Sequence, residues 1–183
     1  MMSSLESSTE HWQQPILVVV MGISGTGKST LASEIASLSG AIFLDADSLH
    51  TEDARLQMSQ GIPLTEAQRS PWIKRIYGQL CQYQSQNKSC VLAYSGLKQQ
   101  HRKVIFSAYI KRAGIVLNAE QSLIAERLAK RAEHFMPPQL LSSQIAEMEP
   151  FDDEVSLLNL DVTNSVQALL LQAVHFIELL DTE

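Results

Sequence analysis

The sequence has few cysteines, no excess of positive charge and no long apolar run, and each shortage excludes a class of protein. Two cysteines in 183 residues are too few for a disulfide framework, which favours a reducing, cytoplasmic location. The formal net charge is −6, so no overall basic field is available to bind nucleic acid. Nowhere do about 18 apolar residues run together, and no secretory signal pattern is present. We therefore expect a cytoplasmic protein with neither nucleic acid nor membrane as a partner.

The composition that remains is that of one globular domain. Hydrophobic residues make up 45% of the chain and charged residues 19%, ordinary proportions for a protein long enough to bury a sizeable core. The polar, partly serine-rich residues 1–14 predict a disordered tail, and residues 15–183 predict a single domain.

Short apolar runs alternate with helical patterns along the chain. The runs predict strands over residues 16–21, 41–45, 90–95, 114–117 and 157–161. Alternation of strand and helix is typical of an α/β protein whose parallel sheet is covered on both faces. Thr65 and Asn118, each followed three residues later by Gln, predict helix starts. Residues 48–88 are too long for one crossover and predict a substrate-binding insert, broken near Pro71 and with Trp72 in its own small core.

The strongest local signal follows the first predicted strand. Residues 22–29 match the phosphate-binding pattern G-x-x-x-x-G-K-[ST] between a strand and a helix. The glycines let backbone N–H groups approach a phosphate, and the helix N-terminus attracts the same anion. We expect Lys28 to contact the β- and γ-phosphates of a nucleoside triphosphate and Ser29 to bind Mg²⁺. The candidate nucleotide-binding residues are Gly22, Ile23, Ser24, Gly25, Thr26, Gly27, Lys28, Ser29 and Thr30.

Two carboxylates, Asp45 and Asp47, end the second predicted strand. In a doubly wound sheet this edge lies beside the phosphate loop and binds ligands. Alternation along an extended segment would orient both side chains the same way. We expect Asp45 to support the metal ion and Asp47 to accept a proton from an attacking hydroxyl. The alternative is that Asp47 only caps the next helix.

Arg127 and Arg131 stand four residues apart on one predicted helix. That spacing places both guanidinium groups on one face, where they can neutralise the charge of a transferring phosphate. We interpret residues 127–138 as a lid in which both arginines are catalytic. The alternative is a solvated charged face formed together with Glu120 and Glu126.

Further cations lie where an acceptor could bind. Lys98 and Arg102 follow the third predicted strand, and His50, Arg55 and Arg69 lie in the insert. Such groups suit an anionic co-substrate, although each alone is more often a surface residue. The sequence has no Asn-Lys-x-Asp motif for guanine and no aspartate at the end of the third strand. These absences favour a small-molecule kinase over a GTPase or a motor ATPase.

Several motifs together resemble the gluconate kinase (gluconokinase) family of P-loop kinases over about residues 16–180. Beside the phosphate loop, the matching segments are FLDADSLH at 43–50, MSQGIPL at 58–64, RSPW at 69–72, SGLK at 95–98, the arginine pair at 127–131, HFMP at 134–137 and LLSSQ at 140–144. The resemblance implies a nucleoside-monophosphate-kinase-like fold, a three-layer α/β/α sandwich with a five-stranded parallel sheet and a lid. It also implies ATP with Mg²⁺, phosphoryl transfer to the 6-hydroxyl of D-gluconate and, in many members, a homodimer.

Carried onto this sequence, the resemblance also suggests an acceptor site with departures from the family pattern. The acceptor-binding residues would be Asp47, His50, Arg69, Lys98, Arg102 and His134. The departures are Ala46 for Gly, Thr51 for Pro, Ala54 for Asn, Gln57 for Lys, Gly96 for Ala, Gln99 for a basic residue and Glu133 for Gly. They leave open a kinase for another hydroxylated acid, such as another aldonate or shikimate, and an ATP-binding protein without turnover.

Overall fold

The computed structural model describes residues 12–129, 138–151 and 155–182. Within these ranges, five strands form one parallel sheet in the order β2-β3-β1-β4-β5. The strands are β1 (Ile16–Met21), β2 (Ile42–Asp45), β3 (Cys90–Tyr94), β4 (Lys111–Asn118) and β5 (Ser156–Asp161). The helices are α1 (Lys28–Ser39), α2 (Glu52–Ser59), α3 (Glu66–Ser85), α4 (Gln99–Phe106), α5 (Gln121–Ala129), α6 (Pro138–Glu147) and α7 (Val166–Asp181). The predicted α/β fold with a five-stranded parallel sheet is confirmed.

The central strand β1 is buried on both faces. All six of its side chains are fully buried, and alternate residues belong to two separate clusters. One cluster packs against α3 and α4, and the other packs against α1 and α7. Burying an aliphatic side chain contributes about 1.5–3 kcal/mol, so β1 rigidly anchors the loop that follows it.

The insert between β2 and β3 forms α2 and α3. The capping box predicted at Thr65 and Gln68 is present and begins α3. The break predicted near Pro71 is wrong, because α3 continues through it. The φ angle of proline is compatible with a helix, and burial of Trp72 and Ile73 offsets the lost backbone hydrogen bond. Trp72 packs in the cluster on the sheet face and not in a separate core of the insert.

The helix predicted to begin near Asn118 is present, but Asn118 does not cap it. Asn118 is the last residue of β4 and pairs with Asp161 of β5. Its side-chain amide donates to Asn159 Oδ1 at 3.2 Å. Because both bonds hold the residue in the sheet, α5 begins only at Gln121.

The packed part of the chain begins earlier than the predicted boundary at residue 15. The Trp12 side chain packs against the cluster between α1 and α7. The backbone N–H of Gln13 donates to Asp181 Oδ2 at 2.9 Å. Residues 1–11 of the predicted tail lie outside the described residues.

Among the described helices, none combines the length and the apolar character needed to cross a bilayer.

Candidate active site

The phosphate loop connects β1 to α1 in a conformation that depends on glycine. Gly27, directly before α1, has a φ of +96°, and a Cβ added there would meet no heavy atom within 4 Å. The residue is therefore required for its left-handed conformation, and the space beside it stays open. The carbonyl oxygen of Ile23 accepts hydrogen bonds from Lys28 Nζ at 3.0 Å and Thr26 Oγ1 at 2.8 Å. These bonds hold the lysine across the loop.

Ser29 and Asp45 form an oxygen pair beside the loop. Ser29 Oγ donates to Asp45 Oδ2 at 2.8 Å, and Asp45 Oδ1 accepts from the backbone N–H of Asp47 at 3.0 Å. A hydroxyl and a carboxylate are ligands that suit Mg²⁺, which usually keeps several waters and phosphate oxygens as its other ligands. The described residues contain no group of three or more His, Cys, Asp or Glu side chains able to hold a metal. The pair therefore fits an ion that is bound mainly through the phosphates.

Asp47 lies in a short 3₁₀ turn, Ala46–Leu49, and not in the extended segment that the sequence suggested. The chain turns because Asp45 caps this turn, while Thr51 caps α2. Asp47 therefore caps neither helix. Its side chain is 48% exposed and lines a cavity beside the phosphate loop. Although about half of this side chain is exposed, desolvation of the carboxyl group by the surrounding protein raises the pKa of Asp47, and the nearby charge of Lys28 opposes that rise.

An open cavity of about 720 Å³ lies at the carboxyl edge of the sheet. Of the predicted site residues, it is lined by Ser24, Lys28, Asp47, His50, Arg69 and Lys98. These residues come from the phosphate loop, the segment after β2, α3 and the segment after β3. Arg131 and His134 lie outside the described residues. The structure thus brings together most of the predicted acceptor residues with the phosphate loop.

His50 is a neutral member of the cavity wall. Its ring stacks on Trp72 with 4.1 Å between ring centroids, and the Trp72 indole donates to the Ala46 carbonyl at 2.8 Å. Only 5% of the His50 side chain is exposed. Burial and the charges of nearby arginines lower its pKa to about 4. Among the described residues, no hydrogen-bond partner is present for His50 Nδ1.

Two cations of the cavity already have carboxylate partners. Arg69 Nη1 lies 2.5 Å from Glu147 Oε2, and Lys98 Nζ lies 3.5 Å from Glu149 Oε1. The hydrogen bond from Arg69 lowers the pKa of Glu147. An anionic ligand at this end of the cavity would therefore compete with the two glutamates.

Arg102 does not line the cavity, contrary to the role inferred from the resemblance. The residue is only 5% exposed. Its guanidinium donates to the carbonyl of Gly96 at 2.7 Å and to that of Pro150, and it stacks over the Phe151 ring at 4.6 Å. Because its donors are directed at backbone oxygens, Arg102 joins the end of β3 to the segment after α6.

Arg127 lines a second groove, of about 880 Å³, on the other side of the phosphate loop. Its Nη2 donates to the carbonyl of Val162 at 3.0 Å. The groove is also lined by Gly25, Gly27 and Thr30. Arg127 is therefore beside the loop but outside the acceptor cavity.

His101 and Gln144 are among the cavity residues that sequence reasoning did not assign to the site. Gln144 Oε1 accepts from the backbone N–H of Ser24 at 2.8 Å, which joins α6 to the phosphate loop. A local signal existed for His101, which stands three residues after Lys98 and thus on the same helix face. The sequence signal for Gln144 was its place in the LLSSQ segment at 140–144, which does not reveal its contact with Ser24, 120 residues away.

Comparison with known proteins agrees with this geometry. The family described as an AAA domain matches residues 17–151. A gluconokinase from Gluconobacter oxydans (strain 621H) is 37% identical over 150 residues, which cover 81% of this chain and 84% of that protein. The crystal structure of a gluconokinase from Sinorhizobium meliloti 1021 is similar with a TM-score of 0.81 and 32% identity, covering 94% of this chain and 96% of that one. An unliganded sugar kinase from Janibacter sp. HTCC2649 has a TM-score of 0.85 and 32% identity, covering 90% and 95% of the two chains. The phosphate loop, the cavity beside it and these relatives lead to one assignment: the chain belongs to the gluconokinase family of P-loop kinases.

Proposed function

We propose that this protein transfers the γ-phosphoryl group of ATP to the 6-hydroxyl of D-gluconate, giving 6-phosphogluconate. The observation that carries the proposal is a single cavity lined both by phosphate-transfer residues, Lys28 and Asp47, and by carboxylate-binding cations, Arg69 and Lys98. A sugar acid carries both groups that such a cavity requires, a hydroxyl to be phosphorylated and a carboxylate.

The nucleotide is ATP with Mg²⁺. Lys28 and the amides of the phosphate loop hold the β- and γ-phosphates, while Ser29 and Asp45 hold the metal ion. Bound magnesium supplies positive charge that neutralises the phosphates during transfer. The groove beside Arg127 and Val162 accepts the nucleoside part, since it adjoins the outer side of the loop.

At the acceptor, Asp47 orients the 6-hydroxyl and takes its proton as the new P–O bond forms. The raised pKa of Asp47 brings its proton affinity closer to that needed for general base catalysis. When the acid binds, its carboxylate replaces Glu147 as the partner of Arg69 and Glu149 as the partner of Lys98. Most of the rate enhancement then comes from positioning and charge neutralisation.

Four features of the proposal rest on the sequence alone. The lid over residues 127–138, with Arg131 on it, stays a prediction, as does the contact of His134 with the acceptor. A homodimer and a cytoplasmic location also stay predictions. Light scattering of the purified protein tests the dimer directly, because a monomer mass at all working concentrations would exclude it.

The test is ADP release, coupled to a spectroscopic signal, with Mg-ATP and D-gluconate. A blank without acceptor and a panel of other aldonates and shikimate accompany it. We expect turnover with gluconate above the blank, and a loss of about 10²–10³-fold in kcat/KM for Lys28→Ala, which removes a charge aimed at the transferring phosphate. Lys74→Ala, at an exposed position of α3, is the matched control. Turnover confined to another acid would overturn the acceptor assignment, and wild-type activity of Lys28→Ala would overturn the mechanism.

A further inference from the structure

We propose that His101, oriented by Glu66, accepts a hydrogen bond from an acceptor hydroxyl near the carboxylate end of the sugar acid and thereby sets the affinity for the acceptor. The inference rests on the proposed function, since it assigns a specificity residue within the same cavity. It adds His101 of α4 to the acceptor site and Glu66 of α3 as a residue that positions it.

The position of His101 places it with the cavity's cations. His101 lies in the first turn of α4, three residues after Lys98, and both line the cavity. Glu66 lies in the first turn of α3, three residues before Arg69. Residues three apart on a helix share a face, so His101 lines the cavity beside the two cations, and Glu66 contacts His101 from outside the cavity lining. Lys28 and Asp47 enter the cavity from other elements, the phosphate loop and the turn after β2.

Glu66 fixes the proton and the orientation of the ring. His101 Nε2 lies 2.5 Å from Glu66 Oε1, and Glu66 also accepts from Gln100 Nε2 at 3.2 Å. An ionised carboxylate is only an acceptor, so Nε2 carries the proton. In the neutral ring, Nδ1 is then an acceptor with a fixed direction.

The other ring nitrogen remains available to a ligand. Among the described residues, no group bonds to His101 Nδ1. The side chain is 8% exposed. The fully buried side-chain atoms without a hydrogen-bond partner include His50 Nδ1, but they do not include His101 Nδ1. His101 Nδ1 therefore retains contact with solvent at a residue whose accessible side is the cavity.

The charges around the pair explain why this contact matters for affinity. Arg69 is paired with Glu147 and Lys98 with Glu149. An incoming carboxylate therefore binds each cation only by displacing the glutamate that is paired with it. A hydroxyl donating to His101 Nδ1 displaces no protein group. A ligand that fills the cavity without a matching donor would displace the solvent at Nδ1 and leave this nitrogen unpaired, which discriminates against that ligand.

The experiment measures KM and kcat for D-gluconate, 2-deoxy-D-gluconate and 3-deoxy-D-gluconate with wild type and His101→Phe. We expect His101→Phe to raise the KM for gluconate about tenfold, to change kcat and the KM for ATP less than about twofold, and to leave the KM for one of the deoxy acids unchanged. His101→Asn keeps an acceptor atom near the Nδ1 position and should recover part of the lost affinity. His175→Phe, at an exposed position of α7, is the matched control.

Glu66→Gln tests the orienting role, because an amide can donate to Nε2 and so reverse the tautomer. We expect it to raise the KM for gluconate in the same way, with no further rise in the double variant Glu66→Gln/His101→Phe. Equal losses with gluconate and both deoxy acids, or an unchanged KM in His101→Phe, would overturn the inference while wild-type turnover of gluconate preserves the proposed function. Absence of wild-type turnover with gluconate would instead overturn the proposed function, and this inference with it.

Discussion

Asp47 is the carboxylate that we expect the chemistry to depend on most. Asp47→Asn keeps the size of the side chain and removes the acceptor for the hydroxyl proton. A positioned general base is worth about 10²–10⁴-fold in rate, so we expect kcat to fall within that range while the KM for ATP changes little. The measurement is steady-state ADP release with gluconate. Because burial raises the pKa of Asp47, the acid limb of the wild-type rate profile should lie at higher pH than for an ordinary aspartate.

A matched variant separates this effect from a general loss of acidic charge. Asp53 is exposed in the first turn of α2, so Asp53→Asn removes the same charge from the same insert. It should leave kcat unchanged. A similar kcat for Asp47→Asn and Asp53→Asn would exclude Asp47 as the proton acceptor.

Two departures from the family pattern build local structure in this chain. Thr51, which replaces a proline, caps α2 by accepting from the N–H of Ala54 at 3.2 Å. Gln57, which replaces a lysine, donates to the Pro63 carbonyl at 3.0 Å and accepts from Gln68 Nε2 at 2.8 Å. Neither Thr51 nor Gln57 lines the cavity, so both stabilise the insert without contacting the acceptor directly.

The turn between β3 and α4 needs glycine at position 96. Gly96 has a φ of +71°, and a Cβ there would lie 2.9 Å from the Cγ and Sδ atoms of Met21 in β1. The alanine that is usual in the family would therefore be strained in this chain. We expect Gly96→Ala to lower the free energy of unfolding by about 1–2 kcal/mol, measured by urea denaturation.

Gly78→Ala provides the opposite expectation at a helical glycine. Gly78 lies within α3, and no heavy atom lies within 4 Å of an added Cβ. Alanine should raise the free energy of unfolding by about 0.5–1 kcal/mol, because glycine is the poorer helix former. If Gly96→Ala were as stable as wild type, the turn would have to tolerate a left-handed alanine, contrary to the geometry.

At the scale of the whole molecule, His50 links folding to pH. Its pKa falls from 6.5 to about 4 in the folded protein, so between these values the unfolded chain binds more protons. The contribution of His50 to the free energy of unfolding is therefore fully present above about pH 6.5 and decreases as the pH falls toward 4. The free energy that corresponds to the whole pKa shift is about 3 kcal/mol, and solvent screening reduces it to about 1–2 kcal/mol. Calorimetry at pH 7 and pH 5 should show a larger fall in Tm for wild type than for His50→Gln.

The comparison with His50→Gln isolates this residue from groups of opposite sign. The raised pKa of Asp47 makes its contribution increase as the pH falls, while Glu147, whose pKa is lowered, loses its contribution only below its ordinary range. The Glu147 contribution is common to both proteins and cancels in the difference. The Asp47 contribution has the opposite sign from that of His50, and it cancels only in part because Asp47 Oδ1 lies 3.8 Å from His50 Nε2. Equal falls in Tm would show that His50 is protonated in the folded state.

Local patterns in the sequence determined the strands, the phosphate loop and the carboxylates at the sheet edge. Each depends on neighbours within a few residues: six apolar residues make a buried strand, and G-x-x-x-x-G-K-[ST] makes an anion-binding turn. That is why β1, the loop and the capping box at Thr65 could be predicted, together with the cavity residues that follow strand ends.

The tertiary structure alone decided which polar side chains face the cavity. Arg102 follows a strand end as Lys98 does, yet the packing of α4 directs it to backbone carbonyls. His101 and Glu66 stand 35 residues apart, and Ser24 and Gln144 stand 120 apart. Helices α3, α4 and α6 bring these groups together by burying their apolar faces against the rest of the protein. No local spacing encodes that arrangement, because the direction of each side chain follows from how whole helices pack on the sheet.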